Sequence, residues 1–184
     1  MTLSDSGAKF PGGSPANNFG KKCPGRIELK IKILALGARM PSWVQEGCDE
    51  YLQRIRPMQQ LELVEIPLAK RGKTSDISRV KAEEAEAIEK QLRGNENLVV
   101  LDVRGKPFST HELADSIGNW QMDGRDVVII IGGPDGLDER FLSGTYTRLS
   151  LSKLTLPHPL ARMVLIEQIY RALAINANHP YHRE

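Results

Sequence analysis

The chain has 184 residues, a formal net charge of +2 and 40% hydrophobic residues. That length suits one globular domain with a sizeable core, and a charge so near zero excludes the strongly basic surface that by itself announces a nucleic-acid binder. Cys23 and Cys48 form neither a CxxC pair nor a disulfide framework, no run approaches the roughly 18 apolar residues of a membrane span, and the N-terminus lacks a signal peptide's apolar centre, so a cytoplasmic protein without a membrane segment is expected.

Residues 1–28 are rich in Gly, Ser, Pro and Asn and show no apolar period. Such a segment cannot bury enough surface to offset its ordering entropy, and it reads as a disordered extension ahead of a folded domain over 29–184. Leu29 to Leu36 alternates and then turns wholly apolar, which predicts a first strand ended by Gly37. Pro41 opens a helix whose Trp43, Val44, Gly47, Cys48, Tyr51, Leu52 and Ile55 recur at three and four, until Pro57 stops it. Leu61 to Ile66 alternates as a second strand. Lys70-Arg71-Gly72-Lys73 is either a solvated basic loop or a phosphate contact. A second helix follows, with Ile77, Val80, Ala85, Ile88 and Leu92 on one stripe. Leu98 to Val103 is a third strand. Ser109-Thr110-His111-Glu112 has capping-box spacing and opens a third helix that buries Leu113, Ile117 and Trp120.

Asp126 to Ile131 is the most apolar stretch, a fourth strand that reads as buried on both faces. It stops abruptly at Gly132-Gly133-Pro134-Asp135-Gly136. Glycine permits close backbone approach and proline cannot donate to a ladder, so the strand ends there. A glycine loop at the carboxyl edge of a sheet is where α/β proteins bind ligands. An ordinary strand-to-helix turn is the other reading. Asp138 to Thr147 predicts a short helix, Leu154-Thr155-Leu156 a short fifth strand, and Leu160 to Asn176 a last helix apolar on two sides. One of those sides suits a second subunit. Strands alternating with helices predict an α/β fold with a mostly parallel sheet.

The glycine loop is neither a P-loop nor a G-x-G-x-x-G fingerprint. With Leu151 to Leu156 it offers backbone groups and apolar walls, a pocket with little charge that suits a partly apolar cationic or zwitterionic ligand. His158, His179 and His182 are the candidate titrating groups outside the helices. His179-x-x-His182 lacks an evident third ligand, and no metal is expected. Glu167 and Arg171 stand at i and i+4, either as a helical ion pair or as a buried pair that holds an active-site group.

Three long motifs occur in order: Ile131-Gly132-Gly133-Pro134-x-Gly136, Leu151-Ser152-x-Leu154-Thr155-Leu156-Pro157-His158-Pro159, and Asn178-His179-Pro180-Tyr181-His182-Arg183-Glu184. With Met40-Pro41-x-Trp43-Val44, Lys70 to Lys73 and Asp123 to Val127, they resemble the RlmH family, the ribosomal RNA large-subunit methyltransferase H group of the SPOUT class. The resemblance covers Leu29 to Glu184 and leaves the preceding segment without a role. It implies a single-domain α/β fold with a C-terminal trefoil knot. It implies S-adenosyl-L-methionine as methyl donor, held by Leu101, Gly132 and Leu151, Ser152, Lys153, Leu154, Thr155 and Leu156. It implies a homodimer in which one subunit's tail completes the other's site, and methylation of N3 of a pseudouridine in 23S rRNA on the assembled ribosome. On that basis Tyr181, His182 and Arg183 lie at the methyl donor, His182 or His158 assists deprotonation, Arg183 stabilises the developing anion, and Glu167 orients Arg183 or the base. A non-catalytic ribosome-binding module is the alternative. A nucleotide hydrolase is a weaker one, because no lysine or carboxylate cluster stands at the glycine loop.

Overall fold

The computed structural model describes residues 29–72, 76–144 and 146–179. Five strands and five helices alternate: β1 (Lys30–Leu36), α1 (Ser42–Ile55), β2 (Gln60–Ile66), α2 (Ile77–Glu89), β3 (Asn97–Pro107), α3 (Thr110–Asp123), β4 (Val127–Ile131), α4 (Glu139–Leu142), β5 (Thr147–Ser150) and α5 (His158–Asn176). The strands form one sheet in the order β2-β1-β4-β3-β5, and every pairing is parallel.

Side-chain alternation explains why β1 and β4 carry unbroken apolar runs. Ile31, Ile33 and Ala35 with Val127, Ile129 and Ile131 face a core closed by α1, α3 and α5. Leu34, Leu36, Val128 and Ile130 face a second core with Ala85 and Ile88 of α2 and Phe141 of α4. A strand with period two and a helix layer on each face needs apolar residues at every position.

The helix starts follow local chemistry. Asp76 accepts from Ser78 N at 2.9 Å to cap α2. Ser109 and Glu112 form the expected capping box of α3, and the backbone and Lys106 contacts of Glu112 hold its carboxyl below the usual range. Gly124, at φ +77°, ends α3 in a left-handed turn that a Cβ disfavours.

Three expectations are corrected. The fifth strand is Thr147–Ser150, not Leu154 to Leu156; Leu154 is 73% exposed, so the apolar alternation there packs against nothing. The last helix starts two residues early, at His158. Trp43 and Ile77 lie exposed rather than on the buried stripes of their helices, while Trp120 is only half-buried.

β3 runs past Val103 to Pro107, but its pairing with β5 is interrupted: Leu149 pairs with Leu101 and again with Lys106. Residues 102–105 therefore leave the ladder as an excursion. Gly105 allows it to close, since a Cβ there would lie 2.8–2.9 Å from the backbone of Arg148 and Leu149. Gly105→Ala is expected to lower the unfolding free energy by about 1–3 kcal/mol through this overpacking, read as a lower urea midpoint; an unchanged midpoint would mean that the excursion is slack.

Candidate functional site

All five strands point the same way, so their carboxyl ends gather along one edge. A cavity of about 650 Å³ opens there. Its wall includes Leu101 and the excursion residues Asp102, Val103 and Arg104, the loop Gly132 to Leu137 after β4, the segment Ser150 to Pro157 after β5, and His158 and Ala161 of α5, with Lys153 not among them.

The glycine loop is a tight turn. Gly136 N donates to Gly133 O at 3.0 Å, with Pro134 at the turn position where its fixed φ fits. Gly136 has φ +79°. Gly132 is glycine for space: a Cβ would lie 2.9 Å from the side chain of Leu137, which is itself buried. The segment after β5 is shaped by its serines. Ser150 Oγ donates to Ser152 O at 2.9 Å, and Leu154 N donates to Ser152 Oγ at 2.9 Å. Such side-chain-to-backbone bonds favour a turn over a strand, which accounts for the missing strand at Leu154 to Leu156.

Two charged braces flank the cavity, and neither was read from the sequence. In the first, buried Glu84 of α2 accepts from Arg71 Nη2 at 2.9 Å and from Ala69 N at 3.2 Å, while Arg71 Nη1 meets Asp135 of the glycine loop at 2.6 Å. Arg71 thus holds a wall of the cavity. Of the basic loop, Lys73 lies outside the described residues. The second brace centres on Arg162, which is 1% exposed. Its guanidinium pairs with Glu65 of β2, donates to Gly37 O at 2.6 Å and lies 3.4 Å from His158 Nε2. The available signal was an arginine four residues before buried Ile166, on the buried side of α5, and four after His158. Desolvation first, and the Arg162 cation second, hold the His158 imidazole below its ordinary value of 6.5.

At the excursion Asp102 accepts from Arg104 N at 3.0 Å and faces Arg148 at 3.9 Å. The wall of the cavity is thus mostly backbone and apolar side chain, with Lys81, Asp102, Arg104 and Asp135 as its charged members.

Of the residues singled out in the sequence, Leu101, Gly132, Leu151, Ser152, Leu154, Thr155, Leu156 and His158 line this one cavity. Lys153 is exposed. Glu167 does not line the cavity; it accepts from Arg171 at 2.9 Å and from Gln168 at 2.6 Å. His179 follows the far end of α5, where its N donates to Ala174 O at 2.8 Å. Tyr181, His182 and Arg183 lie outside the described residues. Among the described residues no group of three His, Cys, Asp or Glu side chains is disposed to hold a metal, and no helix is long and apolar enough to cross a membrane.

Fold and site together define an α/β protein with a ligand cavity at the carboxyl edge of a parallel sheet. A family model described as "Predicted SPOUT methyltransferase" matches residues 29–182. A relative from Acinetobacter baumannii is 48% identical, covering 84% of this chain and 99% of its own, and one from Saccharophagus degradans is 50% identical, covering 84% and 100%. Both are named ribosomal RNA large subunit methyltransferase H. A solved structure from Haemophilus influenzae, described as a probable methylase family protein, overlays with a TM-score of 0.48 at 13% identity, over 83% of this chain and 68% of that one, too distant to add to the assignment. The chain belongs to the SPOUT methyltransferase family and, within it, to the RlmH family.

Glu84→Gln is expected to cost about 1–3 kcal/mol, the scale of a charged hydrogen bond lost from a buried group. The Glu84→Gln/Arg71→Met double variant should cost less than the sum of the two, because they share one brace. Additive losses in paired urea titrations would show that the brace does not act as a unit.

His158 gives a pH dependence with a definite sign. Its folded pKa is depressed, so below pH 6.5 the unfolded chain takes up a proton that the folded chain does not. The stability this group contributes is therefore whole above 6.5 and is lost as pH falls through the folded value. His158→Asn should flatten the drop in melting temperature between pH 7.5 and about 5.5; an identical drop in both proteins would sink this assignment.

Proposed function

We propose that this methyltransferase transfers the methyl group of S-adenosyl-L-methionine to N3 of a pseudouridine in 23S rRNA on the assembled ribosome, acting as a cytoplasmic homodimer with a knotted C-terminal half. The observation that carries the reading is the cavity: a loop after β4 and a segment after β5, far apart in sequence, meet around one space with mostly apolar walls. The names of the relatives support ribosomal RNA as the acceptor.

The cavity residues suit the donor. Gly132 keeps the wall open where a Cβ would press on Leu137. Leu101, Leu151, Leu154 and Leu156 offer apolar surface, and backbone groups between Gly132 and Leu156 offer hydrogen bonds. When bound, S-adenosylmethionine supplies an electrophilic methyl group on a sulfonium. The protein's part is then positioning of the acceptor and removal of the imide proton from N3, which calls for a base. In this reading Leu101, Gly132 and residues 151–156 hold the donor, Tyr181, His182 and Arg183 serve at the methyl donor, Arg183 stabilises the anion that forms on the base, His182 or His158 takes the proton, and Glu167 orients Arg183 or the base.

In this reading a second copy of the chain supplies the tail that completes the cavity. The half-buried apolar residues Leu160 and Val164 give α5 a second face for such a contact.

The test is transfer of labelled methyl from S-adenosylmethionine to ribosomes, beside naked 23S rRNA and ribosomes lacking the pseudouridine. Label on pseudouridylated ribosomes alone is the expected result; no label on any of them, from a folded dimer, would favour the binding module. Arg183→Ala should lower turnover at saturating donor by about 100-fold or more while leaving donor affinity unchanged. Full turnover in that variant removes Arg183 from the mechanism.

A further inference from the structure

The His158 ring is in contact with two neighbours of opposite demand. On one side, Arg162 Nη2 lies 3.4 Å from Nε2. A guanidinium has only donors to offer, so the nitrogen that faces it must present a lone pair. The ring proton of a neutral imidazole then belongs on Nδ1. On the other side a backbone hydrogen bond at Gly132 favours the protonated imidazole, which makes the Gly132 carbonyl, and not its N–H, the group that would accept a hydrogen bond from the ring. Arg162 itself cannot retreat. It is buried, Nη1 is committed to Glu65, Nη2 donates to Gly37 O as well as facing His158, and its Nε has no partner among the described residues. Two prolines, Pro157 and Pro159, fix the backbone on either side of the ring.

We propose that His158 is a positioning residue: a neutral Nδ1–H imidazole held between the Arg162 guanidinium and the Gly132 carbonyl, where it pins the glycine loop of the donor cavity and does not take the proton from the acceptor base. Arg162 acts one step further back. It ties the carboxyl ends of β1 and β2, through Gly37 and Glu65, to the first turn of α5, and through His158 to the loop that follows β4. The lone pair that a general base would need is already directed at a fixed cation. Protonating it would bring two positive charges within hydrogen-bond distance inside the protein. This inference removes His158 from the two candidate bases and leaves His182; it rests on the proposed methyl transfer for its affinity and turnover readouts, and not for the tautomer.

The tautomer is tested directly. In the ¹⁵N-histidine-labelled full-length chain, the signals absent from His158→Asn belong to His158. They are expected to show the neutral Nδ1–H form at pH 6.5; an Nε2–H form or an imidazolium at that pH overturns the proposal. The second arm measures S-adenosylmethionine affinity by calorimetry on folded His158→Asn and His158→Leu. The Asn amide keeps a donor near the Nδ1 position, so its affinity should stay near that of the parent, while Leu should weaken binding about tenfold, the worth of one hydrogen bond. Equal affinity in both variants overturns the clamp. The third arm is turnover at saturating donor. His158→Asn should keep it within a few-fold; a loss of about 100-fold or more with unchanged donor affinity would make His158 the base. If neither variant folds, the His158 signals are assigned in the parent protein by through-bond correlation to its backbone, and its tautomer still decides. If the RNA substrate is wrong, parent turnover fails, while the first two arms still read out.

Discussion

The guanidinium of Arg162 sits where three parts of the chain converge: the end of β1, the end of β2 and the opening of α5. A buried charge of this kind is costly by itself, and it is tolerated when it is paired and most of its donors are directed, as both terminal nitrogens of Arg162 are. Arginine meets that condition better than lysine because its donors lie in one rigid plane. Once the plane is fixed by Glu65 and Gly37, the orientation of His158 is fixed as well, and with it one side of the cavity. The geometry of the site is thus set beneath the surface, by a residue that does not line it.

The opposite side follows the same logic with different atoms. Glu84 is buried in α2, and it directs Arg71 toward Asp135 in the turn after β4. Gly133 is closely surrounded by both partners, with Glu84 Oε2 3.2 Å and Arg71 Nη2 3.3 Å from where a Cβ would stand. The glycine loop is therefore gripped from both flanks, by His158 at Gly132 and by Arg71 at Asp135. A loop without side-chain bulk has little rigidity of its own; here it is held by neighbours.

How much of this was legible in the sequence depends on how locally each feature is encoded. β1 and β4 declared themselves because burial on two faces demands an apolar residue at every position. The capping box of α3 was readable because both partners lie within four residues. β5 was not: Thr147-Arg148-Leu149-Ser150 is a short edge strand with two exposed residues, and it forms because β3 offers it a ladder 48 residues earlier in the chain, at Val99. Leu154-Thr155-Leu156 has the better alternation but no strand to pair with, since Ser150 and Ser152 turn the chain first. The glycine loop and Leu151 to Leu156 were readable as a pocket from residue type, whereas Leu101 came from motif resemblance. Arg162 drew no reading on a helix apolar on two sides, and only the arrival of Gly37 and Glu65 from distant parts of the chain gives its buried guanidinium partners.

The pairing of charges also accounts for a cavity hospitable to a cation. Three arginines approach it: Arg71, Arg104 and Arg162. Left bare, they would raise a positive potential that a sulfonium would have to oppose at close range, where screening by salt is weak. Each is instead matched by a carboxylate: Arg71 by Glu84 and Asp135, Arg104 by Asp102, Arg162 by Glu65. The carboxylates offset much of the guanidiniums' field and leave their rigidity, although Asp102 is shared with Arg148 and Lys81 of α2 stands on the cavity wall itself. The three arginines thus serve the cavity as fasteners first and as charges second.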